Sequence, residues 1–129
     1  MIPYAAKVFR DYLADQMPGV RVSGDVPAAV PAQLVTIRQV PAGSTDKPRH
    51  FGWRRLILRC RHRDGEIAAG GLAETVRDLM VESKYAGLGV RDIDVIGEPG
   101  RFDDPDDSTP WFQLTVDALF KSKHTTTTE

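Results

Sequence analysis

Cys60, His62 and Asp64 stand at alternate positions, and their types match a nucleophile, a general base and an orienting acid. Alternate residues of a strand share a face but lie about 6.5–7 Å apart, beyond the hydrogen bond that would activate a thiol. The spacing therefore predicts a buried core cysteine followed by residues that leave the strand for a turn. His50, His62 and His124 fall in a loop, at a strand end and in a C-terminal tail. With no helical pair and no second cysteine among them, no zinc site is expected. Gly65-Glu66-Ile67-Ala68-Ala69-Gly70 opens like a phosphate-binding loop, but Gly71-Leu72 stand where lysine and a hydroxyl residue are required. The acidic run Asp103-Asp104-Pro105-Asp106-Asp107 lacks the alternating ligands, central glycine and closing glutamate of a calcium loop. No catalytic residue, cofactor or metal ligand is assigned, and no enzymatic activity is expected.

The arginines carry the strongest local signal. Arg49, His50, Arg54, Arg55, Arg59, Arg61, His62 and Arg63 precede Asp64 with no acid between them. Strand alternation puts Arg54, Leu56, Leu58 and Cys60 on one face, and Trp53, Arg55, Ile57, Arg59 and Arg61 on the other. A basic strand face with an aromatic beside it suits single-stranded nucleic acid. It also suits an acidic partner surface, and the chain carries one in Glu98, Asp103, Asp104, Asp106 and Asp107 against Arg101 alone. On a chain of net charge −1, two such patches fit head-to-tail assembly of copies. A third reading is a solvated face whose charge discourages edge pairing. The candidate interface residues are Arg54, Arg55, Arg59 and Arg61 with Asp103, Asp104, Asp106 and Asp107.

The elements that must position these residues follow from hydrophobic period. Residues 3–17 read as an amphipathic helix, with Ala5, Val8, Phe9, Tyr12, Leu13 and Met17 on the apolar face. Pro3 suits its first turn and Pro18-Gly19 ends it. Val20-Arg21-Val22 is short and extended, and two Val-Pro pairs hold the connection to Pro31 out of helix. Leu34–Val40 and Trp53–Arg61 read as strands joined by a polar loop over 41–52. After the Asp64-Gly65 turn, residues 66–84 read as a second helix burying Ile67, Ala68, Leu72, Val76, Leu79, Met80 and Ser83. Gly70-Gly71 inside it points to close packing against a neighbour. Val90–Ile96 is a short strand, 97–110 an acidic loop, and Trp111–Lys121 a half-buried strand with Phe112, Leu114, Val116, Ala118 and Phe120 inward. The predicted class is α+β, in the order α-β-β-β-α-β-β. One mixed or antiparallel sheet of four to five strands is flanked by two helices.

The totals bound the rest. A chain of 129 residues, 41% hydrophobic and 27% charged, reads as one domain over 1–121 with a flexible Thr-rich tail over 122–129. A single cysteine excludes an intramolecular disulfide. Lys7, Arg10, Asp11 and Asp15 interrupt any apolar leader, and no apolar run is long enough to span a membrane.

This order resembles the tail terminator family of long-tailed bacteriophages, also called tail completion or head-to-tail connector proteins. The resemblance covers roughly residues 3–121 and rests on pattern. Its carriers are the opening helix, Pro18-Gly19-Val20-Arg21-Val22, the Val26-Pro27 and Val30-Pro31 pairs, and the strand Leu34–Arg38. Then come the strand ending at Cys60, the helix from Ile67-Ala68, Gly97-Glu98-Pro99, Asp104-Pro105, and Pro110 leading into Leu114-Thr115-Val116. Trp111 departs from the pattern, which has a basic residue after that proline. The resemblance implies a structural virion protein at the head–tail junction, assembled in the cytoplasm of the host bacterium. Such a protein forms a ring, usually hexameric, on the head-proximal end of the tail tube and ends tube polymerisation. Its implied partners are copies of itself, the tail tube protein and a head-neck connector protein, with DNA in transit through the ring. The loops 41–52 and 97–110 are the candidates for the tube and neck faces. The alternatives are a nucleic-acid-binding module using strand 53–63, and another phage neck or tail-tube protein.

Overall fold

The computed structural model describes residues 3–41 and 51–121. Within them the order is α1 (Ala5–Gln16), β1 (Arg21–Ser23), β2 (Gln33–Val40), β3 (Phe51–His62), α2 (Glu66–Glu82), β4 (Val90–Phe102) and β5 (Trp111–Lys121). A single 3-10 turn, Ser83–Tyr85, extends α2. The α+β class and the element order match the sequence reading. Most of the 41–52 loop, with Arg49 and His50, and the tail over 122–129, with His124, lie outside the described residues.

The five strands form one mixed sheet in the order β1-β2-β3-β5-β4. β1 runs parallel to β2, and every other pairing is antiparallel. The segment 24–32, extended by Pro27 and Pro31, carries the chain from β1 back to the start of β2. Both helices pack on the same face. From α1, Phe9 and Leu13 meet the sheet residues Val35, Ile37, Leu56, Leu58, Val116 and Phe120; Leu72, Val76 and Met80 of α2 complete this core. Phe9 and Phe120 meet edge to face, with ring centroids 5.8 Å apart. Two polar ties fix α1: the Ala6 N–H donates to Gln39 Oε1, and the Tyr12 hydroxyl donates to the Leu79 carbonyl of α2. No helix among the described residues is long and apolar enough to cross a membrane.

Two expectations are corrected. The acidic loop expected over 97–110 is only 103–110, because β4 continues through Gly97, Pro99 and Gly100 to Phe102. Those residues are loop signals in sequence, but β4 is an edge strand with a partner on one side only, where proline and bulges are tolerated. The register shifts between Val95 and Gly97 and between Gly97 and Gly100 absorb them. A Cβ on Gly97 would come within 3.3 Å of Thr115 Cβ, so glycine permits the close approach of β4 to β5.

The buried stripe of α2 is also rotated from its predicted phase. Ile67 is 91% exposed, and Ala68 and Leu79 are half-buried, whereas Ala69 and Ala73 are fully covered. The small residues let the helix axis approach the sheet, and Ile67 at the first turn overhangs its end. Gly70 has the close neighbour its type suggested: a Cβ there would stand 3.3 Å from Phe112 Cζ. A Cβ on Gly71 would meet nothing within 4 Å. Gly71→Ala is therefore expected to raise stability by about 0.5–1 kcal/mol through helix propensity. Gly70→Ala should gain less or lose, depending on how far the Phe112 ring yields. Urea denaturation of the two variants side by side checks this.

Candidate functional site

With both helices on one face, the other face of the sheet has no helical layer among the described residues. The strand registers arrange its side chains in rows. Leu34, Arg61, Trp111 and Phe102 form one row across the sheet, and Thr36, Arg59, Gln113 and Gly100 the next. Arg38, Ile57, Thr115 and Gly97 follow, then Val40, Arg55, Asp117 and Asp94. The arginine face read from the alternation of β3 is thus the helix-free face. Arg54 lies on the opposite, helix-covered side, with its Nη1 donating to the Trp53 carbonyl.

Each of the three β3 arginines on this face has a partner inside the chain. Arg55 forms a two-pronged pair with Asp117 across β3 and β5, Nε to Oδ1 at 2.9 Å and Nη2 to Oδ2 at 3.1 Å. That fork matches carboxylate geometry and holds the Arg55 guanidinium further toward its charged form. Arg59 donates to Gln113 Oε1 at 3.3 Å and stacks over the Phe102 ring, 4.9 Å from its centroid. Arg61 donates from Nε to Asp107 Oδ2 at 2.7 Å and from Nη2 to Thr109 Oγ1 at 2.9 Å. The basic face and the acidic loop, expected to meet between copies, thus make one contact within a single chain.

Asp107 is the centre of that contact. Its Oδ2 also accepts from Trp111 Nε1 at 2.9 Å, and its Oδ1 accepts from the Thr109 N–H at 2.9 Å. The Arg61 hydrogen bond, with those from Thr109 and Trp111, holds the carboxyl at about 2. Under this network Trp111 is 3% exposed and tilts against Phe102, although it stands on the face the alternation assigns to polar residues. Arg61 stands opposite Trp111 in register.

The other acidic candidates are arranged differently. Asp103 accepts from Arg101, which also bridges to Glu66 at the start of α2. Asp104 Oδ1 accepts from the Asp106 N–H and closes a tight turn. The carboxylate of Asp106 has no partner among the described residues and is exposed. Glu98, counted with the acidic patch, is held by Arg77 of α2 with N–O distances of 2.9 and 3.3 Å. Among the eight candidates, the one contact between an arginine and an aspartate is Arg61–Asp107.

No protein-family model and no curated protein matches the sequence.

The residues first considered for chemistry are dispersed. Cys60 lies on the helix-covered face, fully buried, and burial pushes its thiol up to about 12. His62 Nδ1 accepts from the Asp64 N–H at 3.0 Å and caps the turn into α2. Among the described residues no group of three or more His, Cys, Asp or Glu side chains is placed to hold a metal ion. Cys60 in the native protein is expected to react with a thiol reagent at least about a thousandfold more slowly than in urea, since reaction requires opening of the core. Labelling rates under the two conditions at about pH 8 check this.

Sequence reasoning missed Gln113, Thr109 and Asp117 as partners of the arginines. It also missed a cleft of about 180 Å³ on the helix-free face. Gly24, Asp25 and Val26 form its rim, and Thr36, Arg38, Val40, Ile57 and Arg59 its floor. The available signal was Arg38 on the outward phase of β2. Its meaning depends on the 24–32 segment folding over that end of the sheet.

Proposed function

We propose that this chain is a structural subunit that closes into a ring at the head-proximal end of a phage tail tube, ending tube growth and joining tail to head. The observation that supports it best is the one-sided fold. Two helices seal one sheet face, while among the described residues the other carries no helix and presents polar, mostly paired side chains interleaved with half-buried Ile57, Thr115 and Leu119. Such a face is polar enough for a monomer in water and flat enough for a neighbouring subunit to lie against. The element order is the one on which the tail terminator resemblance rests. Two edges, the short β1 and the bulged, charge-bearing β4, discourage unlimited strand-to-strand growth. That suits a subunit whose assembly must stop.

The rival reading, a nucleic-acid module on strand 53–63, needs arginines available to phosphates. Arg55 and Arg61 are instead neutralised by Asp117 and Asp107, and Asp92 and Asp94 stand on the same face. Sequence-independent contact with DNA passing through a ring makes no such demand.

Light scattering behind size exclusion, across a concentration series and at low and high salt, tests the proposal. A closed species near six copies is expected, in keeping with the ring the resemblance implies. A chain that stays monomeric at every concentration, or that grows without limit, overturns it.

A further inference from the structure

We infer that the Arg38–Arg59 cleft receives the acidic turn around Asp106 from a second copy of this chain, so that neighbouring subunits join head to tail. The assignment rests on the ring reading and names the contact that would close it.

The cleft holds cationic charge that the fold leaves available. Thr36 is opposite Arg59 and Arg38 opposite Ile57, so the two arginines are diagonal neighbours on one face, roughly 7–8 Å apart at their bases. Arg38 has no hydrogen-bond or ion-pair partner among the described residues, and it is exposed. Arg59 has an amide oxygen and an aromatic ring for partners but no carboxylate. The one acid on the rim, Asp25, forms no ion pair among the described residues. Two guanidiniums against one carboxylate leave the cleft with an excess of positive charge, and Ile57, Val40 and Val26 give it apolar walls. A volume of about 180 Å³ admits one or two side chains, which fits a tight turn and not a nucleic-acid strand.

The complementary feature sits further along the same sheet face, at Arg61 and Trp111. The turn closed by Asp104 and Asp106 presents the Asp106 carboxylate outward, while Asp107 and Asp103 are engaged by Arg61 and Arg101. β2 and β4 are three strand spacings apart, about 14 Å, and the turn is anchored over β3 and β5 by Asp107 and Trp111. Within the chain no hydrogen bond or ion pair joins Asp106 to Arg38 or Arg59, and its exposed carboxylate is left for a neighbour's cleft. A contact between two different patches repeated around an axis is the heterologous kind that builds rings.

A charge-swap cycle tests the contact on the full chain. Both Arg38→Glu and Asp106→Lys change exposed side chains, and circular dichroism checks that each variant folds; Arg38→Gln serves as the milder probe. Each single variant is expected to raise the concentration at half-assembly by about tenfold or more, and the double variant to recover most of that loss. If the wild type assembles and Arg38→Glu assembles equally well, the contact lies elsewhere while the ring reading stands. If both single variants weaken assembly and the double variant shows no recovery, the two sites do not meet, and the inference fails. A wild type that is monomeric throughout overturns both readings. Should that monomer retain DNA at low salt and lose it on Arg38→Gln, the cleft is a phosphate site instead.

Discussion

Replacing Phe120 by alanine is expected to destabilise the protein by about 4 kcal/mol, the largest effect of any single side chain considered. Phe120 is fully buried and ties three elements together. It lies on β5 opposite Gly52 of β3 and Val90 of β4, and its ring meets Phe9 of α1 edge to face. Truncation removes the transfer energy of the ring and leaves a cavity that the surrounding sheet closes only in part, because α1 is also fixed by its Gln39 and Leu79 hydrogen bonds. A domain with a total stability of about 5–15 kcal/mol would keep only a fraction of it. Phe120→Leu, which retains most of the volume, should lose about 1.5 kcal/mol or less. Urea unfolding followed by circular dichroism separates the two. A loss below about 1 kcal/mol for the alanine variant would mean that α1 is not seated on this ring.

The second large effect is expected at Asp107. Asp107→Ala leaves the Arg61 guanidinium and the Trp111 indole N–H without their acceptor at a largely buried site, a loss of about 3 kcal/mol. Asp107→Asn keeps the shape and one acceptor oxygen and should lose less, while removing the charge. The pH dependence identifies the role of that charge. The native carboxyl is held at about 2, below its ordinary value of 3.8, so between these values the unfolded chain binds more protons than the native one. The stabilisation is therefore complete above about pH 5 and fades as pH falls through 4 toward 2. Asp11 and Glu98, also lowered by their Lys7 and Arg77 partners, contribute in the same direction in the wild type and the variant alike. The difference between wild type and Asp107→Asn isolates Asp107: it should be largest near neutrality and shrink on acidification. A difference independent of pH would assign the effect to packing alone.

The Asp107 network also bears on the proposed assembly. It anchors the turn from which Asp106 projects, so weakening it should loosen self-association even though Asp107 itself faces its own chain. Asp106→Lys should weaken the proposed association while leaving stability nearly unchanged, because its exposed carboxylate has no hydrogen-bond or ion-pair partner among the described residues.

Much of this architecture is written in local pattern. The alternation of β3 and β5 is strict enough to tell which residues share a face, because a strand's period is two whatever lies beside it. Cys60 as a core residue, Arg55, Arg59 and Arg61 as neighbours, and Gly70 as a point of close approach all follow from residues near one another in the chain. The end of β4 does not. Gly97, Pro99 and Gly100 read as loop, and only the lack of a second partner at a sheet edge lets them stay in a strand. The phase of α2 was likewise open within one turn, and docking chose Ala69 and Ala73 over Ile67 because small side chains allow closer approach to the sheet.

The sequence by itself determined the class, the order of elements and the face on which each strand residue lies, since these depend on short-range period and on turn residues. Only the tertiary structure decided what the charges meet. Arg55 and Asp117 are 62 positions apart, and Arg61 and Asp107 are 46 apart, so their pairing rests on strand order and register that no local pattern encodes. The same holds for the cleft at Arg38. It exists because both helices went to one face and the 24–32 segment folded over the edge of the other, choices made by long-range packing of the core.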